Sequence, residues 1–155
     1  MILTKSQQLL YTIIQNLGTI DDKIKLAKFE YFSDFIHYAF YNSPISDDAN
    51  IYEKRPYGPL SRNFNADLKA LISSGLIEQI GKYKYKIKKN IDNTLTKKET
   101  SVIDYVLKKY SKYSYDVLTD ITHKQIPYLS ATEGGIVEYD TAYNLVDEYT
   151  DYQTI

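Results

Sequence analysis

Two acid-imidazole pairs are the first residues in this chain whose types and spacing could do chemistry. Asp34 with His37, and Asp120 with His123, each fall three residues apart on stretches with helical periodicity, so each pair could share a face. Together they could hold a metal ion or exchange a proton. No Glu-x-x-His element supports a metal site, and capping, salt bridging or a hydrogen-bonded core imidazole is the plainer use for both pairs. Ser61, Ser114 and Ser130 lack the strand-turn-helix setting of an activated serine and read as caps and loop residues. The glycine pair Gly134-Gly135 has neither the spacing nor the following lysine of a phosphate-binding loop. With no cysteine, thiolate metal sites, disulfides and cysteine nucleophiles are excluded. The expectation is a protein without a catalytic centre, cofactor or small-molecule substrate.

A second chemistry lies in the lysines. Lys82, Lys84, Lys86 and Lys88 alternate with Tyr83, Tyr85 and Ile87, so one face of a strand should be basic and the other apolar. Upstream, Arg62, Asn63, Asn65 and Lys69 form the polar side of a predicted helix. Helix and strand are the two elements a winged helix brings to DNA. The plainer alternative is a solvated hairpin face on which lysine discourages edge pairing. That alternative outweighs base reading, which favours arginine, because the chain has only Arg55 and Arg62 beside 17 lysines.

The elements that must position these residues follow from periodicity. Thr4 and Gln7 form a capping box for a first helix to Leu17, ended by Gly18. From Asp22 to about Tyr41 a longer helix is apolar nearly all round, which places it in the middle of the fold. A polar loop over 42–50 leads to a short extended piece. Next, Arg55-Pro56-Tyr57-Gly58-Pro59 forbids continuous helix and should form a tight lead-in to a third helix at about Leu60–Ser74. A hairpin with Gly81-Lys82 as its turn follows. Thr96 with Glu99 starts a fourth helix to about Tyr110, and Ser114 caps a fifth that must stop before Pro127. A turn at Gly134-Gly135 and a last helix near Thr141–Tyr149 complete the reading. The expected class is α+β, mostly α: a winged-helix-like core with a small β-hairpin and C-terminal helices, forming one domain over residues 1–155.

The 155 residues, 43% hydrophobic and 25% charged, suit an ordinary globular protein that buries roughly 70% of its unfolded surface. The net charge of −1 hides a dipole: residues 1–53 carry −3, residues 54–98 carry +8 and residues 99–155 carry −6. The basic middle is where DNA could bind, and the acidic end would repel it. No long apolar run or secretory leader is evident, so a cytoplasmic location is expected. Seventeen tyrosines, no tryptophan and the lysine bias fit AT-rich coding in a microbe or its mobile elements. Many of those rings should span core and rim.

Three stretches in order carry a family likeness. Lys25-Leu26-Ala27-Lys28-Phe29-Glu30-Tyr31-Phe32, then Tyr57-Gly58-Pro59-Leu60 with Ser74-Gly75-Leu76-Ile77 downstream, then Leu118 to His123 followed by Pro127-Tyr128, resemble the boxes of the Panacea antitoxin domain, the SocA-like family. Tyr128 stands where the family prefers tryptophan, and Phe29 where it has leucine. The resemblance implies a scaffold that neutralises a co-encoded toxin by direct protein binding. Its motif residues Lys25, Leu26, Lys28, Tyr31, Tyr57, Gly58, Pro59, His123 and Pro127 would hold the scaffold, with His123 bonding the loop toward Pro127. Exposed residues would then choose the toxin. A winged-helix transcription regulator, or a phage or viral protein that binds a host factor, are the alternatives; the partner's identity and the oligomeric state are left open.

Overall fold

The computed structural model describes residues 2–92 and 94–152. Helix α1 (Lys5–Leu17) begins at the Thr4–Gln7 capping box and ends at Gly18, whose positive φ of 77° releases the chain into strand β1 (Thr19–Ile20). Helix α2 (Lys23–Tyr41) is capped by Asp22, whose Oδ1 accepts from the amides of Ile24 and Lys25. Thirteen of its 19 residues are buried, so it is the central element. Around it pack α1, helix α4 (Lys97–Tyr110), helix α5 (Tyr115–His123) and a 3₁₀ helix over Tyr139–Leu145. The capping boxes and the Ser114 cap are formed as the sequence predicts.

The stretch 52–61 departs from expectation. Strand β2 (Tyr52–Arg55) turns through Pro56-Tyr57 into strand β3 (Gly58–Ser61), with Arg55 opposite Gly58 and Glu53 opposite Leu60. Helix α3 therefore starts at Phe64 and runs to Ser73, rather than starting at Leu60. Tyr57 thus lies in a hairpin turn and Gly58-Pro59 open its second strand, so the stretch is not a helix lead-in. Gly58 at φ 117° makes the turn possible, and Pro59 is tolerated because β3 is the edge of the sheet β3-β2-β6, where β6 is Ile136–Val137.

A second sheet, β1-β5-β4, pairs strands β4 (Ile77–Gly81) and β5 (Lys84–Ile87) with β1. Its turn is Lys82-Tyr83, one residue later than predicted, because the ladder is irregular between Gln79 and Gly81 and Gly81 stays in the strand opposite Lys84. The shift moves Tyr83 off the inward face. Tyr85 is buried and Ile87 half-buried, whereas Tyr83 stands at the tip, 53% exposed.

Pro127 does not simply follow a helix. It sits in the first turn of short helix α6 (Ile126–Leu129), where its missing N–H costs nothing. The predicted last α-helix is the 3₁₀ segment, followed by turns. There Thr141 Oγ1 donates to the Glu138 carbonyl and Asn144 Nδ2 to the Thr141 carbonyl, contacts that compete with regular helix.

The class is α+β and mostly helical, with two small antiparallel sheets. Hydroxyls make the tyrosine-rich interior workable. Tyr31 donates to Gln125 Oε1 at 2.7 Å, Gln125 Nε2 donates to Tyr149 at 2.7 Å, and Tyr110 donates to Tyr149 at 2.8 Å, a buried chain joining α2, α4 and the C-terminal segment. Among the described residues no helix is long and apolar enough to cross a membrane.

Candidate functional site

The two acid-imidazole pairs do not meet. Asp34 is fully buried and accepts from Ser46 N at 2.8 Å, Ser46 Oγ at 2.5 Å and Tyr52 OH at 2.7 Å. Burial raises its pKa, and these three donors pull it back. Ser46 is tied to Asn50 and Asn50 to Ser61, so Asp34 fastens the loop before β2 to the central helix. His37 points elsewhere: its Nδ1 lies 2.5 Å from the Ser43 carbonyl and must carry the proton there. Burial lowers its pKa. Asp120 is exposed, and among the described residues no group of three or more potential ligands could hold a metal ion.

His123 instead reaches the β2–β3 turn. Three successive carbonyls of that turn each receive a side-chain donor: Arg55 from Tyr128 OH at 2.7 Å, Pro56 from His123 Nε2 at 2.9 Å, and Tyr57 from Thr119 Oγ1 at 3.4 Å. The His123 ring stacks on Tyr128 with centroids 4.5 Å apart, and Lys54 Nζ lies 4.5 Å from the Tyr128 centroid while donating to the Ala131 carbonyl. The expected role of His123 toward the loop before Pro127 is corrected accordingly. With Pro127 shaping α6, this end of the chain grips a turn some 65 residues earlier.

Beneath that turn lies Lys28. A Cβ on Gly58 would stand 2.7 Å from both Lys28 Nζ and Thr122 Oγ1, so glycine is required by space as well as by φ. Lys28 is 2% exposed, and among the described residues its ammonium has no hydrogen bond or ion pair. Burial pulls its pKa down to about 8, with Asp22 acting in the opposite sense. Lys28 lies on the wall of a cleft of about 540 Å³ between α2, the β2–β3 turn and the start of α3. Ile24, Leu60 and Phe64 are among its apolar walls; Tyr57, Tyr83 and Tyr115 stand around it, 58%, 53% and 37% exposed.

The motif residues thus divide. Lys28, Tyr57, Gly58 and Pro59 come together in the cleft, and His123 fixes its turn. Leu26 and Tyr31 are core, and Lys25 Nζ donates to the Ser111 carbonyl at 2.9 Å, away from the cleft. Arg62, Asn63, Asn65 and Lys69 are exposed as predicted, but Arg62 is held by Glu53 at 2.6 Å, and Glu53 also binds Arg55 at 2.6 Å. Those two guanidiniums keep the Glu53 carboxyl below its usual range. Lys82, Lys84, Lys86 and Lys88 are exposed on the second hairpin, with Lys86 3.8 Å from Glu78. Sequence reasoning missed Tyr83 and Tyr115 as neighbours of the cleft. The signal available for Tyr83 was a large aromatic directly at a hairpin turn.

The cleft and its clamps are built from the stretches that carry the family likeness. No curated protein and no solved structure matches the chain. A family model does match, over residues 26–127, a span that contains most of α2, both hairpins, α4, α5 and the start of α6. With well over half of its length covered by that match, the chain belongs to the family of SocA-like antitoxins with a Panacea domain.

Proposed function

We propose that this protein is a non-enzymatic antitoxin that neutralises a cognate toxin by direct binding, working in the cytoplasm with residues 1–155 as one unit. The observation that carries the reading is the family match. The geometry of the matched segment supports it. A turn held by three clamps offers a rigid, aromatic-flanked concavity, and preorganised aromatic anchors around a pocket are what tight protein recognition uses. The side chains of Asp34, Tyr31 and His123 are engaged in holding the fold, which leaves recognition to the exposed residues.

Co-expression with the product of the adjacent reading frame tests this. A toxic neighbour should be rescued by this chain and should co-purify with it. Tyr57→Ala combined with Tyr83→Ala should weaken the complex at least tenfold, since two exposed anchors of this kind carry more than about 2 kcal/mol when they lie at an interface centre. A neighbour with no effect on growth would shift the reading toward a phage protein that binds a host factor, or toward DNA.

One observation favours DNA as the second reading. Lys82, Lys84 and Lys88 are exposed without an acidic partner among the described residues, beside a helix whose Asn65 and Lys69 face solvent. A helix-and-hairpin pair of this kind supports a winged-helix regulator. Binding of that type should fall steeply between about 50 and 200 mM salt, and glutamate at the three lysines should abolish it. Toxin rescue should survive the same change.

A further inference from the structure

We propose that the cleft beside Lys28 receives an acidic side chain, an aspartate or glutamate on an exposed loop of a partner protein, with the Lys28 ammonium as its counter-ion. The proposal rests on the binding-protein reading above and assigns the chemistry of its contact site.

Lys28 carries a charge that no hydrogen bond or ion pair answers among the described residues. A cation withdrawn from water is costly unless it is paired. The buried carboxyls meet that demand in two ways: Asp34 has three donors, and Glu30, whose oxygens have no partner among the described residues, is pushed by burial toward its neutral form. Lys28, 2% exposed, has no hydrogen bond or ion pair among the described residues, only the longer-range attraction of Asp22. The other charges lining the cleft are already engaged or lie at its mouth. Arg55 is bound to Glu53, and Asp22 caps α2 through its Oδ1. Lys23 Nζ lies 5.9 Å from the Phe64 centroid, and Asp21 is exposed.

Lys23, Lys28 and Arg55 against Asp21 and Asp22 leave the lining with a formal charge of +1, which matches a monoanion. A phosphate dianion would bring a second negative charge past Asp21 and Asp22 and exceed the net charge of the lining, with Arg55 bound to Glu53 and Lys23 over the Phe64 ring. The walls suit the arm of a carboxylic side chain: Ile24, Leu60 and Phe64 offer apolar surface to its methylenes, and the partly exposed Tyr57, Tyr83 and Tyr115 complete the lining. At about 540 Å³ the space accepts that arm and part of its neighbour.

The probe is 3-phenylpropionate, whose two-carbon arm and carboxylate copy the reach of a glutamate. Amide chemical shifts of the full chain should move around Gly58, Leu60 and Phe64, and the neutral 3-phenylpropionamide should bind at least tenfold more weakly. Lys28→Met should bind the acid at least tenfold more weakly while melting no lower than the parent, because it replaces a buried charge with a side chain of similar length. Equal binding of acid and amide would overturn the proposal. So would undiminished binding by Lys28→Met, or tenfold preference for phenyl phosphate. Should Lys28→Met fail to fold, the acid-amide comparison on the unaltered chain still decides. If the chain rescues a toxic neighbour yet ignores the acid, the site falls and the antitoxin reading stands. If it binds the acid but no neighbour is toxic, the site stands and the antitoxin reading falls.

Discussion

Glu30 lies in the middle of α2, wholly buried, and among the described residues neither of its carboxyl oxygens has a hydrogen-bond partner. Burial, with Asp34 and Asp67 nearby, pushes its pKa well above the ordinary carboxylate range. The folded protein therefore holds a proton on Glu30 that the unfolded chain releases. Stability is fully present below the unfolded value, near pH 4.3, and declines as pH rises toward the folded value. Glu30→Gln should reduce that decline by up to about 1.4 kcal/mol per pH unit, read from denaturant midpoints across pH 5 to roughly 8. Asp34 and Asp67 are shifted in the same direction, so a residual slope should persist in the variant. At Gly58, substitution by alanine meets both a φ of 117° and a contact at 2.7 Å with the Lys28 ammonium. The expected loss is about 2 kcal/mol or more, measured by thermal melting. Residue identities give little warning of either effect. The spacing of Asp34 and His37 signals a shared helix face, but their partners, Ser46, Tyr52 and Ser43, come from a loop and a strand whose path no periodicity encodes.

Elements with local signatures are legible in the sequence. Both capping boxes, the Gly18 stop and the extent of α4 can be read because each depends on residues within four positions of one another. Thr96→Ala should accordingly cost about 1 kcal/mol in stability. It should cost somewhat more if Glu99, freed from the box, also loosens its 2.9 Å ion pair to Lys5 on α1. Elements defined by pairing are less legible. Leu60 fits the apolar stripe of α3 as well as it fits a strand, and only the partnership with Glu53 across the turn decides for β3. The Lys82-Tyr83 turn is displaced by an irregularity at Ile80, which alternation of lysine and tyrosine does not reveal. The cleft is half visible. Its motif residues stand out along the chain, but their convergence depends on α5 and α6 reaching back across the fold.

At the scale of the whole molecule, α2 is packed along most of its length, and the Tyr31–Gln125–Tyr149–Tyr110 chain is a buried one among several polar links between the family segment and the residues beyond it. Gln125→Leu strands the buried hydroxyl of Tyr31 and takes one of two partners from Tyr149, and should destabilise the protein by about 1–3 kcal/mol in chemical denaturation. Both ends of the charge asymmetry along the chain are exposed, the hairpin lysines on one side and Glu133, Glu138, Asp140, Asp147 and Glu148 toward the C-terminal segment on the other. Finally, the clamps on the β2–β3 turn set an order of events during synthesis. A nascent chain that has left the ribosome only through α3 already holds Lys28, Tyr57 and Gly58, yet none of Thr119, His123 and Tyr128. The β2–β3 turn is thus shaped late, after α5 and α6 have emerged, and termination between α3 and Thr119 yields a product that holds Lys28, Tyr57 and Gly58 but none of the three side chains that fasten the turn.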